Sequence, residues 1–147
     1  MPSSSVSILT CIDSSCEDLF SCIYNLSSSD IQVLSILLRT RKHSELTLEM
    51  LAKQASRDKG TIFRSLQKLV GLGFATKQTK ILKVGGYYHV YKAVDIETIE
   101  RGVDQRISEI QDALNRIRKR FRSDIKKMLA PRAPQSRMPG WLENKIK

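Results

Sequence analysis

The chain has 147 residues, and its 25 Lys and Arg against 15 Asp and Glu give a formal net charge of +10. This length suits one domain with extensions and excludes two large domains. Hydrophobic residues make up 41% and charged residues 27%, with 4 Phe, 4 Tyr and 1 Trp. We therefore expect a globular protein whose core is built from Ile, Leu and Val.

The sequence carries no signal for a membrane or for an oxidising compartment. No stretch approaches the roughly 18 uncharged apolar residues of a membrane span, and residues 1–5 lack the features of a secretory signal. The three cysteines, Cys11, Cys16 and Cys22, are odd in number and argue against a disulfide framework. We expect a cytoplasmic protein with no membrane partner, no cofactor and no metal.

The positive charge is concentrated in residues 27–94, which hold 12 basic and 4 acidic residues. A field of one sign on one compact unit attracts polyanions such as nucleic acid. An ordinary solubility charge is the alternative interpretation.

The N-terminal residues 1–26 predict a helical extension. Apolar residues at positions 8, 12, 16, 19 and 23 have the spacing of one helical face, which predicts one short helix with Cys16 in its apolar stripe. Spacings of five and six between the cysteines match no zinc motif. A thiol sensor that pairs Cys11 or Cys22 with its copy across a dimer is left open.

Three further helices and a hairpin follow within residues 27–94. Ser27 with Asp30 is a capping-box start, Thr47 is a predicted N-cap, and Asp58 caps a helix that closes at Gly71 or Gly73. The first of these helices runs to about residue 41 and the second ends near residue 56. The tight link between the second and the third is typical of a helix-turn-helix.

After residue 73 the apolar period changes to that of strands. Residues 74–84 and 87–94 flank the glycine pair 85–86, which predicts a hairpin with at least one buried tyrosine and with His89 as a packed or surface residue. The predicted fold is mainly α with a small β-hairpin wing, that is, a winged helix over 27–94.

Residues 95–129 predict one long helix of about 52 Å at roughly 1.5 Å per residue. Because this is more than a winged helix can cover, we expect a homodimer through it; a helix that folds back on its own domain is the alternative. The predicted dimerisation residues are Val103, Ile107, Ile110, Leu114, Ile117 and Phe121. Residues 130–147 form a basic, proline-containing tail, in which Trp141 and Leu142 have no assigned partner.

The helix that starts at Asp58 has a polar, basic face opposite Ile62. On it, Arg64 is suited to guanine, Gln67 to adenine, and Thr61 to a phosphate or a thymine methyl. Phe63 is expected to pack under the wing, with contact to a DNA sugar as the alternative. Gly60 either allows close approach to DNA or is a tolerated weak helix position. The predicted DNA-binding residues are Arg57, Lys59, Gly60, Thr61, Arg64, Gln67 and Lys68 of the helix region, with Lys80 and Lys83, next to Lys77, in the wing.

The segments DKGTIFRSLQKLVGLGF and KVGGYYHVYKAV resemble the recognition helix and the wing of archaeal TrmB-like regulators, related more loosely to the MarR group. The resemblance covers about residues 27–125. It implies a dimeric, sequence-specific transcription regulator with a recognition helix from Lys59 to Lys68. Gly60 departs from the usual Ser or Arg, and the chain lacks the sugar-binding domain of sugar-sensing members, so control by a sugar is not implied and any effector is unknown.

The main alternative function is a winged-helix module that binds the transcription machinery and binds DNA weakly. An enzyme is disfavoured because the sequence has no paired carboxylates, nucleophile with base, phosphate loop or metal cluster, and His43 and His89 have no evident catalytic partners.

Overall fold

The computed structural model describes residues 5–40 and 45–131. Their helices are α1 (Ser5–Leu9), α2 (Cys16–Ile23), α3 (Ser28–Thr40), α4 (Leu48–Ala55), α5 (Lys59–Gly71) and α6 (Ile96–Leu129), and their strands are β1 (Ala75–Ile81) and β2 (Tyr87–Ala93). The chain divides into two compact units, the first ending at Arg101 and the second starting at Gly102. The mainly α fold with a hairpin wing and a long C-terminal helix is confirmed.

The core of the first unit lies where α3, α4 and α5 meet. Its fully buried apolar side chains are Val33, Leu37, Leu46, Leu51, Ile62, Leu66 and Leu69. The apolar side of α5 is the one that the spacing predicts, which leaves the opposite side of this helix in solvent. Burying such aliphatic side chains is the main source of stability for a domain of this size.

The predicted helix starts are confirmed. Thr47 Oγ1 accepts from the Met50 N–H at 3.3 Å, and Asp58 Oδ2 accepts from the Thr61 N–H at 2.9 Å. At the start of α3, the Ser27 N–H donates to Asp30 Oδ2 at 2.9 Å. Each bond satisfies a backbone donor that a helix start would otherwise leave unpaired.

The two strands form an antiparallel hairpin, with Ala75 opposite Ala93 and Ile81 opposite Tyr87. Leu46 adds a bridge to Tyr91: the Tyr91 N–H donates to the Leu46 carbonyl at 2.7 Å, and the Leu46 N–H donates back at 3.2 Å. Tyr91 is buried, as expected for one of the tyrosines. Strict alternation fails in β2, because its neighbour Val90 is buried as well and the strand is covered on both faces there.

The prediction of one helix through residues 8–23 is wrong. α1 ends at Leu9 and α2 begins at Cys16, with Ile12 fully exposed between them. Polar side chains cause the break: Ser14 Oγ donates to the Leu9 carbonyl at 3.2 Å, and the Ser15 N–H donates to the side chain of Asp18 at 2.9 Å. Serine and aspartate compete in this way with continued helical hydrogen bonding.

The break also changes the interpretation of the cysteines. Cys16 begins α2 and is exposed, so it is not the core residue that the apolar spacing predicted. Cys11 lies between the two helices and is exposed, whereas Cys22 is half-buried in α2. Cys11 and Cys22 therefore do not share one helix.

The N-terminal extension packs on the winged helix through aromatic rings. The ring centroids of Phe20 and Phe74 are 5.6 Å apart and those of Tyr24 and Phe74 are 5.0 Å apart, both in edge-to-face arrangements. Such pairs contribute about 0.5–1.5 kcal/mol beyond the area that they bury. Residues 5–26 thus belong to the first compact unit.

Some predictions lie outside the described residues. They concern the link at 41–44 and most of the tail, including Trp141 and Leu142. Across residues 5–40 and 45–131, no helix is long and apolar enough to cross a membrane.

Candidate nucleic-acid interface

The N-terminus of α5 is held by a chain of side-chain hydrogen bonds. Thr61 Oγ1 donates to Asp58 Oδ1 at 2.6 Å, and Arg64 Nη2 donates to Thr61 Oγ1 at 3.4 Å. The hydroxyl and backbone N–H of Thr61, together with the positive charge of Arg64, hold the pKa of Asp58 below its ordinary value. Thr61 is half-buried and its hydroxyl is directed to the cap, so its predicted contact with DNA would compete with this bond.

The exposed side of α5 contains most of the residues predicted to contact DNA. Those with exposed positions are Lys59, Gly60, Arg64 and Gln67, and Phe63 is exposed beside them. Lys59 Nζ lies 4.0 Å from Glu49 Oε1, and both side chains are about two-thirds exposed. An ion pair of this kind is weak in water, so it does not withhold Lys59 from a phosphate.

Lys68 is placed differently from the sequence-based expectation. Its Nζ lies 3.3 Å from Asp30 Oδ2 and donates to the Asn25 carbonyl. These contacts hold the amine at the N-terminus of α3. Lys68 lies at the edge of the polar side of α5. The helical position of a residue at this edge does not determine which way its long side chain turns.

Asp30, which receives Lys68, belongs to a buried polar cluster that sequence reasoning missed. Its side chain is 7% exposed, and Ser29 Oγ lies 3.3 Å from the buried Ser65 Oγ of α5. Burial by itself would raise the pKa of Asp30, but hydrogen bonds from Ser65, Ser27 and Lys68 outweigh burial and hold this pKa below its ordinary value. The only available signal was a serine, at 65, on the apolar side of the predicted helix.

Replacing Asp30 with asparagine is expected to lower the free energy of unfolding at pH 7 by about 1–3 kcal/mol, since a buried charged hydrogen-bonding group loses its proper partners. Because the folded-state pKa is lowered, the stabilisation is complete above the unfolded value near 3.9 and is lost as the pH falls through the folded value. Urea unfolding of both proteins at pH 7 and at pH 3 measures this. The difference between them should shrink at pH 3.

The control for this measurement is Asp13→Asn, because Asp13 is exposed between α1 and α2. It should change the free energy of unfolding by less than about 0.5 kcal/mol. A stability loss for Asp30→Asn that is equally large at both pH values would contradict a role for the ionised carboxylate.

Arg57 lies in the turn between α4 and α5, and its side chain is held by hydrogen bonds. Its Nε donates to Gln32 Oε1 at 2.7 Å, and Gln32 Nε2 donates to the Ala55 carbonyl at 3.1 Å. The turn itself needs Ser56 in the left-handed conformation, with φ of 54°. The exposed guanidinium of Arg57 is therefore oriented by α3 next to the start of α5.

The space beside Gly60 is limited. A Cβ at this position would lie 3.1 Å from Asp58 Oδ2 and 3.7 Å from Arg64 Nη1. The first distance is tighter than ordinary van der Waals contact and would crowd the carboxylate that caps the helix. A side chain here would also stand beside Arg64 on the exposed side of α5.

The wing supplies further cations. Lys77 and Lys83 are exposed, whereas Lys80 Nζ lies 3.4 Å from Glu45 Oε2 in a half-exposed ion pair. His89 Nδ1 lies 3.1 Å from Thr79 Oγ1, directly across the hairpin. This agrees with a surface role for His89.

Phe63 borders two grooves between α5 and the wing. One, of about 300 Å³, is lined by Phe63, Gln67, Lys77 and Tyr91 among others. The other, of about 270 Å³, is lined by Phe63 together with Thr47, Leu48, Glu49 and the β2 residues Tyr87, Tyr88, His89 and Tyr91. The exposed side of α5 and the wing thus border the same surface of the first unit.

The predicted dimerisation residues all lie on α6 in the second unit. Val103, Ile107 and Ile110 are half-buried. Further along, Leu114 is 60%, Ile117 50% and Phe121 59% exposed. Within the described part of the chain, no group of His, Cys, Asp or Glu is arranged to hold a metal ion.

Comparison with known proteins identifies a family model that matches this chain and a related protein. The model of the family described as sugar-specific transcriptional regulator TrmB matches residues 20–97. The uncharacterized protein MJ1503 of Methanocaldococcus jannaschii is 27% identical over 93 residues, which are 63% of this chain and 68% of that protein.

Two solved structures show the same fold. A possible transcriptional regulator from Methanosarcina mazei Go1 aligns with a TM-score of 0.68 at 23% identity, over 76% of this chain and 94% of that chain. The ST1889 protein of Sulfolobus tokodaii aligns with a TM-score of 0.55 at 22% identity, over 67% of this chain and 93% of that chain. Since the family model matches more than half of the sequence, including the helix-turn-helix and the wing, this chain belongs to the TrmB family of DNA-binding transcriptional regulators.

Proposed function

We propose that this protein is a sequence-specific, double-stranded-DNA-binding transcription regulator that acts as a homodimer. α5 enters the major groove, and the wing contacts the flanking backbone. The observation that carries this proposal is the exposed, basic side of a helix whose other side is fully packed: Arg64 and Gln67 are exposed, whereas Ile62, Leu66 and Leu69 are buried.

The charges around this side of α5 favour a polyanionic partner. The sequence has no Asp or Glu from Lys59 to Val94, a range that includes α5 and the whole wing. Lys68 is paired with the buried Asp30 of α3, whereas the acidic partners of Lys59 and Lys80, Glu49 and Glu45, form exposed or half-exposed pairs with them. Phosphates can replace such partners at little cost, because exposed ion pairs contribute little free energy.

Arg64 is the residue best placed to select a base. It lies in the first turns of α5, which are the part of a recognition helix that meets base edges, and it makes a long hydrogen bond of 3.4 Å to Thr61. A guanidinium with several remaining N–H donors can bond guanine O6 and N7 together. Gln67 lies three residues further on and is exposed as well, which suits it to a neighbouring base.

The lysines and Arg57 would position the protein on the backbone. Lys59 lies in the first turn of α5, where unpaired amides favour a phosphate. Arg57, Lys77 and Lys83 are exposed around the same surface. Their contacts would set the register and the salt dependence and carry no sequence information.

The homodimer is supported by the apolar seam of α6. Residues 107, 110, 114, 117 and 121 alternate steps of three and four, which is the spacing of a two-helix coil. Leu114, Ile117 and Phe121 are each at least half exposed in the single chain. A second copy of the same helix would bury these side chains and bring two recognition helices to one operator.

A binding titration tests the proposal. Duplexes are selected from a random pool by the full chain, and one selected duplex is titrated against a shuffled duplex at salt concentrations from 50 to 200 mM. We expect preference for the selected duplex and a loss of affinity of about 10³-fold or more across this range, as six or more phosphate contacts would give.

A protein that selects no sequence, and whose weak binding is the same on both duplexes, would contradict the proposal. It would favour the alternative of a module that binds the transcription machinery. The shuffled duplex is the matched control, because it has the same charge and length and differs only in base order.

A further inference from the structure

The tip of the wing, residues 81–87, is unusually apolar for a surface loop. Val84 is 95%, Ile81 86% and Tyr87 68% exposed, and Leu82 is 44% exposed. Single exposed apolar side chains are common on protein surfaces, but clusters of them mark contact sites. Four such residues in a stretch of seven therefore indicate a contact site for a partner.

The tip is held in a defined shape by its own backbone. The Leu82 carbonyl accepts from the Gly85 N–H at 3.2 Å, and the Leu82 N–H donates to the Gly86 carbonyl at 3.0 Å. Gly85 and Gly86 have φ of 95° and 87°, a conformation that residues with a Cβ rarely adopt. This turn presents Lys83 and Val84 together at its apex.

The chemistry of the tip favours one class of partner. Lys83 lies among the apolar residues, and no acidic residue lies in the hairpin itself, although Lys80 before them is paired with Glu45. The partner should offer both negative charge and apolar surface. The minor groove of duplex DNA has phosphates along its edges and sugars in its walls, and it opens onto apolar base faces where a base step is unstacked.

The position of the tip supports the same partner. Phe63 of α5 and Tyr87 at the base of the tip line one groove, and Phe63 with Gln67 lines the groove next to it. The tip therefore extends from the surface that carries Arg64 and Gln67. A duplex bound in its major groove by α5 would present an adjacent minor groove to the wing.

We propose that the wing tip is an apolar wedge: Val84 enters the minor groove, with Ile81 and Tyr87 against the sugars, and partly unstacks a base step so that the duplex bends. This inference rests on the proposed function and adds to it a mechanical action on the DNA. Apolar side chains of proteins that bend DNA act in this way between base steps.

The test uses the full chain and a selected duplex that carries a dye at each end and 2-aminopurine, which brightens on unstacking, at each position of the flanking minor groove in turn. Wild type should brighten the probe at one step and shorten the end-to-end distance. The double variant Ile81→Ser, Val84→Ser should lose both signals and bind roughly tenfold more weakly. Both positions are highly exposed, so the fold should be kept, which a thermal melt checks.

Two matched controls separate the wedge from charge and from general surface polarity. Lys83→Gln should keep the brightening and the bend while lowering the salt slope by about one. Val6→Ser alters an exposed valine of α1 and should change neither signal.

Each other outcome overturns the wedge in a distinguishable way. If wild type selects a duplex but the double variant still brightens and bends it, the wedge is wrong and the proposed function stands. If no duplex is selected at all, both are wrong. If the protein instead binds phosphatidylserine vesicles through Val84 and leaves the bound duplex unbent, the tip contacts a lipid surface and not DNA.

Discussion

Arg64→Ala is expected to lower the affinity for the selected duplex by about 10- to 100-fold, equivalent to roughly 1–3 kcal/mol for a bidentate contact with guanine. The affinity for the shuffled duplex should fall only a few-fold, because the variant loses one positive charge near the phosphates there and no base contact. Arg64 is exposed and bonds only weakly to Thr61, so the fold should persist. Fluorescence anisotropy titrations of both duplexes at one salt concentration measure the two losses.

Lys68→Met is the informative counterpart, because Lys68 is also a cation of α5 but is paired with Asp30. We expect its affinity for the selected duplex to stay within about twofold of wild type. Its free energy of unfolding should fall by roughly 1–2 kcal/mol, since the partly buried carboxylate of Asp30 loses a charged partner. The reverse result, in which Lys68→Met loses selective binding and Arg64→Ala does not, would mean that the DNA-facing side of α5 is misassigned.

Leu114→Arg is expected to convert a dimer into a monomer. Leu114 lies in the middle of the α6 seam and is 60% exposed in the single chain, so two arginines would meet in an apolar interface that cannot hydrate them. The monomer would lose the linkage between two recognition helices, and its affinity for a two-half-site duplex should fall by at least about 100-fold. Analytical ultracentrifugation gives the mass, and the anisotropy titration gives the affinity.

Asn115→Arg is the matched control for charge and helix position. Asn115 is exposed and follows Leu114 by one residue, which takes it about 100° away from the seam. The Asn115→Arg variant should remain dimeric and bind DNA at least as tightly as wild type. A monomeric wild type, or a Leu114→Arg variant that remains a dimer, would contradict dimerisation through this seam.

Local chemistry in the sequence determined the helix starts and the order of the elements. Thr47 and Asp58 cap their helices as predicted, because an N-cap needs only a short polar side chain three residues before a free amide. The buried side of α5 followed from the spacing of Ile62, Leu66 and Leu69. The glycine pair before β2 likewise predicted the hairpin, because glycine has no Cβ and adopts a positive φ readily.

Tertiary structure decided what long or ambiguous side chains do. Lys68 turns to Asp30 because α3 places a buried carboxylate within 3.3 Å of it, a proximity between residues 38 positions apart that no local pattern contains. Ser65 and the ring contacts of Phe20 and Tyr24 with Phe74 depend in the same way on which elements meet.

The N-terminal segment also shows that a local pattern does not determine tertiary packing. Its apolar spacing predicted one helix, but Ser14 and Ser15 break it, and the exposed Ile12 shows that apolar spacing alone did not secure burial. The sequence by itself determined which residues can form α5 and the wing. Only packing decided which of their charges face solvent, because the direction of a flexible side chain depends on the partners that distant segments bring to it.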